Sequence, residues 1–163
     1  DNWAKRKKKG YFFMTGDEFP YPAVSRHQVE ALIGEKLDED IPIEEVIAAA
    51  AEMYHLFFLI PDAERAKKVG DRWRKLLGDH TICMESPKDT CSVAAAIVGL
   101  TEKRIADLDE LAKVLNTNGI DRAHFASTIR AVQHYAALLN PQAVAAASPQ
   151  PAAHESWWKR LFG

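Results

Sequence analysis

Tyr54-His55-Leu56-Phe57-Phe58-Leu59-Ile60 is almost continuously apolar and is closed by Pro61 and Asp62. A strand with one wet face alternates polar and apolar residues, whereas a strand covered on both faces does not, so this run predicts a strand sandwiched between helices. Two shorter runs share its character: Tyr11-Phe12-Phe13-Met14-Thr15 upstream and His80-Thr81-Ile82-Cys83-Met84 downstream. Both are rich in aromatic and β-branched residues and are bounded by Gly, Pro or Asp.

Helical patterns fill the intervals. Ser25-Arg26-His27-Gln28 has the capping-box form, and Val29, Leu32 and Ile33 follow at helical spacing. A second helix is expected over Ile43 to Met53, with Pro42 at its mouth and Glu44 and Glu45 in its first turn, where negative charge suits the dipole. Ala63 to Leu77 reads as a third, closed by Gly78, and a fourth is expected to start near Asp89. Strands joined through helices imply crossovers, and crossovers imply a parallel sheet. The expected fold is α/β: over residues 1–100, the C-terminal half of a three-layer doubly wound (Rossmann-like) parallel sheet. Three strands this apolar need neighbours along their edges, and the chain opens with Asp rather than Met. The expectation is therefore that earlier strands precede it in a longer product, that a second copy covers the edge, or that the chain's own terminal segments do.

Past Leu100 the texture changes. Ile105, Leu108, Leu111 and Leu115, then Phe125, Ile129, Val132, Tyr135 and Leu139, follow helical periodicity on either side of Asn116-Thr117-Asn118-Gly119. An αα-hairpin is expected over 101–140. Residues 141–154 are a Pro/Ala-rich linker, and 155–163 form an aromatic and basic tail. In that tail Trp157, Trp158 and Phe162 are candidate partner-binding residues, since apolar side chains on a tether need a surface: their own domain, a partner groove or a membrane face.

Composition narrows the function. Lys and Arg number 21 against 23 Asp and Glu, a balance that gives no global field toward nucleic acid or an anionic membrane. No apolar run reaches the roughly 18 residues of a membrane span, and the start lacks a basic-then-apolar secretion pattern. Two cysteines, Cys83 and Cys91, point to a reducing, cytoplasmic compartment rather than a disulfide framework. His80, Cys83 and Cys91 supply three zinc-ligand types without a fourth, and nothing near Cys91 in sequence supplies a base. Lys5 to Lys9 reads as the solvated end of a helix rather than a phosphate-binding patch, and the acidic stretch Glu35 to Glu45 as a solvated loop and helix start.

Thr15-Gly16-Asp17-Glu18 immediately follows the first strand. Ligands of open parallel sheets bind beyond the carboxyl ends of the strands, so Asp17 is a candidate ligand for a hard cation such as Mg2+, with Thr15 and Glu18 beside it as partner-binding candidates. Asp and Gly are equally ordinary strand-ending turn residues.

The run Lys8-Lys9-Gly10-Tyr11-Phe12-Phe13-Met14-Thr15-Gly16-Asp17-Glu18, with Tyr54 to Asp62, Asp71 to Gly78 and Ser86-Pro87-Lys88-Asp89-Thr90-Cys91, resembles the later half of a divergent bacterial von Willebrand factor A-like domain. The resemblance covers roughly residues 1–100. It implies a doubly wound sheet that binds a protein partner through a metal at the strand tops, some bacterial members acting beside AAA+ ATPases. The family's metal motif opens with Asp-x-Ser-x-Ser, adds a Thr, and ends on an Asp after the fourth strand. Asp17 matches the last element, in the order Thr-Gly-Asp, and no Asp-x-Ser-x-Ser occurs in this chain. The resemblance thus implies a non-enzymatic protein-interaction module whose Mg2+ site would be weak or absent in this chain alone. The alternative is a fragment of a metal-dependent α/β hydrolase or phosphoesterase using Asp17 and Glu18, although no nucleophile elbow or phosphate-cradling Gly loop accompanies them.

Overall fold

The structure is a computed structural model and describes residues 2–140. In chain order its elements are α1 (Asn2–Arg6), β1 (Gly10–Thr15), β2 (Ala23–Val24), α2 (Arg26–Ile33), β3 (Ile41–Pro42), α3 (Ile43–Met53), β4 (Tyr54–Ile60), α4 (Ala63–Leu77), β5 (Thr81–Cys83), α5 (Thr90–Thr101), α6 (Leu108–Thr117) and α7 (Arg122–Leu139). Short 3-10 turns at Gly78–His80 and Pro87–Asp89 lead into β5 and α5.

The fold is α/β. β1, β4 and β5 form one parallel sheet in the order β1-β4-β5, with Gly10 opposite Tyr54 and Phe58 opposite Thr81. The continuously apolar run thus occupies the middle of the sheet, and Leu56 through Ile60 are all buried. Their alternation divides the core. Phe57 and Leu59 turn toward α5, α6 and α7, joined by Tyr11 and Phe13, while Phe58 and Ile60 turn toward Val69 and Trp73 of α4, joined by Met14. Helices therefore cover both faces, which is why no position of β4 beyond its first two residues can be polar.

The α6–α7 hairpin packs onto that same core: Leu111, Leu115, Val132 and Tyr135 cluster with Phe57 and Ile97. Gly119, at φ +69°, makes the turn between the two helices. α3 and α4 span Ile43–Met53 and Ala63–Leu77, as their apolar periodicity and flanking residues predict.

Two local expectations differ, at β5 and at Ser25, while the start of α5 falls within one residue of Asp89 as expected. β5 is three residues long because His80 belongs to the preceding 3-10 turn, although Met84 N–H still reaches the Ile60 carbonyl at 2.8 Å. α5 begins after a 3-10 turn, at Thr90. The capping box at Ser25 does not form. The Ser25 hydroxyl makes no capping hydrogen bond, and the Arg26 N–H donates instead to the Asp40 carboxylate at 2.9 Å. That substitution follows from a feature periodicity could not show: β2 and β3 pair antiparallel, Val24 opposite Ile41, which brings the loop before α3 against the start of α2. The linker at 141–154 and the tail with Trp157, Trp158 and Phe162 lie outside the described residues.

Burial is lopsided. Among the described residues, none before Leu56 is buried, so β1, α2 and α3 contribute only half-buried or exposed side chains. β1 pairs with β4 along one edge and, among the described residues, with nothing along the other.

Candidate functional site

The carboxyl end of β1 is held by α4. Gly16 N–H donates to the Leu59 carbonyl at 3.2 Å, and a Cβ at Gly16 would sit 3.0 Å from the Phe58 ring, so the chain must turn there without a side chain. Asp62 caps α4, its Oδ1 accepting from the Arg65 N–H at 2.8 Å. From that first turn the Arg65 guanidinium reaches back to the loop after β1, its Nε donating to Asp17 Oδ2 at 3.0 Å and its Nη2 to Glu18 Oε1. Burial opposes the charge on Arg65, but Glu18 and Asp17 outweigh it and raise the pKa above the usual arginine value. Two turns on, Trp73 Nε1 donates to the Glu18 carbonyl at 2.9 Å while its ring stacks on Phe58 at 3.6 Å.

The acidic pair at the strand end therefore shares one resident cation. Mg2+ needs about six oxygens in octahedral array, and these residues do not fit it: two carboxylates, each with one oxygen on the Arg65 guanidinium, leave too few ligands. Among the described residues no group of three or more His, Cys, Asp or Glu could hold a metal. Asp17 and Glu18 lie together, as expected, with Thr15 exposed beside them. Sequence reasoning missed Arg65 and Trp73, although their place one turn and three turns into the helix after β4 was open to inspection.

It also missed a polar cluster between α5 and α7. His124 Nδ1 lies 2.7 Å from Oδ1 of Asp89, which is 1% exposed, and Ser92 Oγ lies 3.1 Å from His124 Nε2 and 2.8 Å from Thr128 Oγ1. Serine, histidine and carboxylate stand here in the order of a nucleophile relay. The remaining parts of such a site are spent elsewhere. Ser92 Oγ donates to the Asp89 carbonyl at 2.9 Å, and the N–H groups of Asp89 and Thr90 go to Ser86 and Pro87 carbonyls, leaving neither for an oxyanion. The cluster pins the start of α7 to the start of α5, beside a bidentate Arg130–Glu85 pair at 2.6 and 2.8 Å that lowers the Glu85 pKa.

At the opposite end of the strands, His55, His80, Tyr135 and Leu138 line an open cleft of about 500 Å³. His80 stacks on Phe57 at 4.5 Å and Nδ1 sits 2.8 Å from the Leu56 carbonyl, so its ring is part of the core. Cys83 is half-buried beside Arg74, and burial raises its thiol pKa; Cys91 is exposed in the first turn of α5. The basic run ends α1, with Lys7 over the Trp3 ring and Lys9 Nζ on the Ala51 carbonyl at 2.6 Å. No helix among the described residues is long and apolar enough to cross a membrane. Comparison with protein-family models, with curated proteins and with solved structures gives no match.

Proposed function

We propose that this chain is a non-enzymatic protein-interaction module of von Willebrand A-like type, engaging its partner along the open edge of β1 and the loop from Thr15 to Glu18. One observation carries the reading: an aromatic strand stands at the edge of the sheet, in a region, residues 3–55, where no described side chain is buried. Phe12 is 48% exposed. Edge strands that stand alone carry charge, proline or a bulge, and Gly10–Thr15 has none of these. Alternate residues of a strand turn their backbone groups to opposite sides; Gly16 bonds toward β4, so Tyr11, Phe13 and Thr15 offer theirs to the open side. Addition of a strand satisfies those groups and covers Phe12. The strand comes from a preceding half of the same domain, from a second copy, or, by the family resemblance, from an AAA+ partner. No step runs through Mg2+, because Arg65 serves the two carboxylates.

The test uses the second copy, which is always at hand. Sedimentation across a dilution series should show self-association, with amide exchange at Tyr11, Phe13 and Thr15 slowing as concentration rises. Phe12→Lys, a charge on an exposed edge position, should abolish both. A chain that stays monomeric at the highest concentrations excludes a second copy as the source of the strand, and slow exchange at Tyr11, Phe13 and Thr15 in that monomer, which would show the edge already covered, overturns the proposal.

A further inference from the structure

The α2 helix is fastened at both ends, and only Val29 of its apolar residues is even half-buried. Its start is held by Asp40, whose carboxylate takes the Arg26 N–H, and by the Arg26 guanidinium, which donates to the Asp38 carbonyl at 2.7 Å. Its end is closed by Gly34 at φ +83°, whose N–H donates to Val29 and Glu30 carbonyls. Between them no residue is buried: Leu32 is 84% exposed and Ile33 69%. Eight residues make a marginal helix in water, and helices of that length are stabilised chiefly by packing an apolar face. Here the face is displayed instead. The surroundings are predominantly acidic, although Arg26 and Lys36 lie among them. From Glu30 to Glu45 there are seven acidic residues, Glu30, Glu35, Asp38, Glu39, Asp40, Glu44 and Glu45, and one basic, Lys36, which lies 3.7 Å from Glu30. The whole chain carries a formal charge of only −2, so the field is local.

We infer that the exposed face of α2 and the acidic loop behind it dock a basic amphipathic segment of a protein partner. Apolar side chains of that segment cover Leu32 and Ile33, and its Lys or Arg residues meet Glu35, Asp38 and Glu39. The charge excludes phosphate-bearing and anionic-lipid ligands and selects against acidic peptides. Because the helix is already anchored, docking orders little of this chain. The inference rests on the reading of the chain as a protein-binding module but uses a surface separate from the β1 edge.

The probe is a short fluorescent peptide of Leu and Lys at amphipathic helical spacing. One control has Glu at every Lys position and another has Ser at every Leu position. Titrated with the full 163-residue chain, the Leu/Lys peptide should bind, the two controls should not, and the affinity should fall with added salt. The double variant Leu32→Ser/Ile33→Ser, and separately Glu35→Gln/Asp38→Asn/Glu39→Gln, should each weaken binding by about tenfold or more. All five side chains are exposed, so thermal melts of both variants should match the parent. Equal affinity of the parent and the Leu32→Ser/Ile33→Ser variant, binding of the Ser control as tight as the Leu/Lys peptide, or no binding at all overturns the inference. Failure here with concentration-dependent protection of β1 intact leaves the edge reading standing; slow exchange of β1 in the monomer sinks the edge reading and not this one.

Discussion

Removing the imidazole of His124 should destabilise this protein more than any other single truncation of a part-exposed side chain. Asp89 Oδ1 has His124 Nδ1 at 2.7 Å, and Oδ2 is buried without a hydrogen-bond partner. His124→Ala leaves both oxygens of a buried carboxyl without a donor. Leaving a buried carboxylate without its donor costs about 1–3 kcal/mol or more, and loss of the contact to Ser92 adds about 0.5–1.5 kcal/mol. Single domains have roughly 5–15 kcal/mol in hand, so the variant should fold with a large loss. Asp89→Asn keeps the acceptor and removes the charge, and should cost about 1–3 kcal/mol. The double variant Asp89→Asn/His124→Ala should cost well under the sum, a coupling of at least about 1 kcal/mol for residues in contact. Urea unfolding followed by circular dichroism on all four proteins measures the cycle, and His124→Gln, which can still donate to Asp89, covers the case in which the alanine variant does not fold. A loss below about 1 kcal/mol for His124→Ala, or strict additivity, would refute the claim that this cluster holds α7 to α5.

The two cysteines should separate on mild thiol labelling of the native protein: exposed Cys91 reacts first, and Cys83, half-buried with its pKa raised, reacts fully only in denaturant; equal rates would contradict this. Adding Mg2+ or Mn2+ should leave the melting temperature unchanged, because two carboxylates that share Arg65 supply too few ligands, and a clear upward shift would show ligands that the geometry does not contain. Burial, then the charges of Lys9 and His80, lower the pKa of His55 below the usual histidine value, so the folded state binds fewer protons than the unfolded one. Its contribution to stability is complete above about pH 6.5 and is lost as the pH falls through the lowered folded value. His55→Gln should flatten the acid limb of a stability-against-pH curve, and an unchanged limb would place the dependence elsewhere.

Much of the fold could be read from the order of residues because it is encoded locally. The unbroken apolar run of β4 announces cover on two faces, and Asp62 with Gly78 brackets α4 at its observed ends. What could not be read depends on partners distant in sequence. Arg65 and Glu18 are 47 apart and Ser92 and His124 are 32 apart, and neither pair carries a periodicity. At Ser25 the local capping rule does not hold, and the start of α2 is fixed instead by Asp40, brought in by the β2–β3 pairing, which takes the Arg26 N–H. Strand length was misjudged at His80 because the ring stacks on Phe57 whether or not its backbone is extended. Side-chain chemistry resembled a strand while the main chain made a 3-10 turn.

The two proposed surfaces differ in what prepares them, and that difference bears on how partners are held. The loop after β1 is fixed from one side by α4, since Arg65 takes the side chains of Asp17 and Glu18 and Trp73 takes the Glu18 carbonyl. Trp73 in turn stacks on Phe58 of the central strand, so the end of β1 is tied to the best-buried part of the sheet. At its other end Tyr11 donates to Glu102 at 2.9 Å, and burial together with that carboxylate pushes the Tyr11 pKa to about 12, so the bond persists across the ordinary pH range. An edge strand clamped at both ends presents a fixed register, and a pairing strand has one alignment that satisfies Tyr11, Phe13 and Thr15 together. α2 lacks such ties to the core. Its anchors, Asp40 and the Asp38 carbonyl, belong to the acidic loop itself, so a partner docked on Leu32 and Ile33 is held through that loop and not through the clamped edge of the sheet.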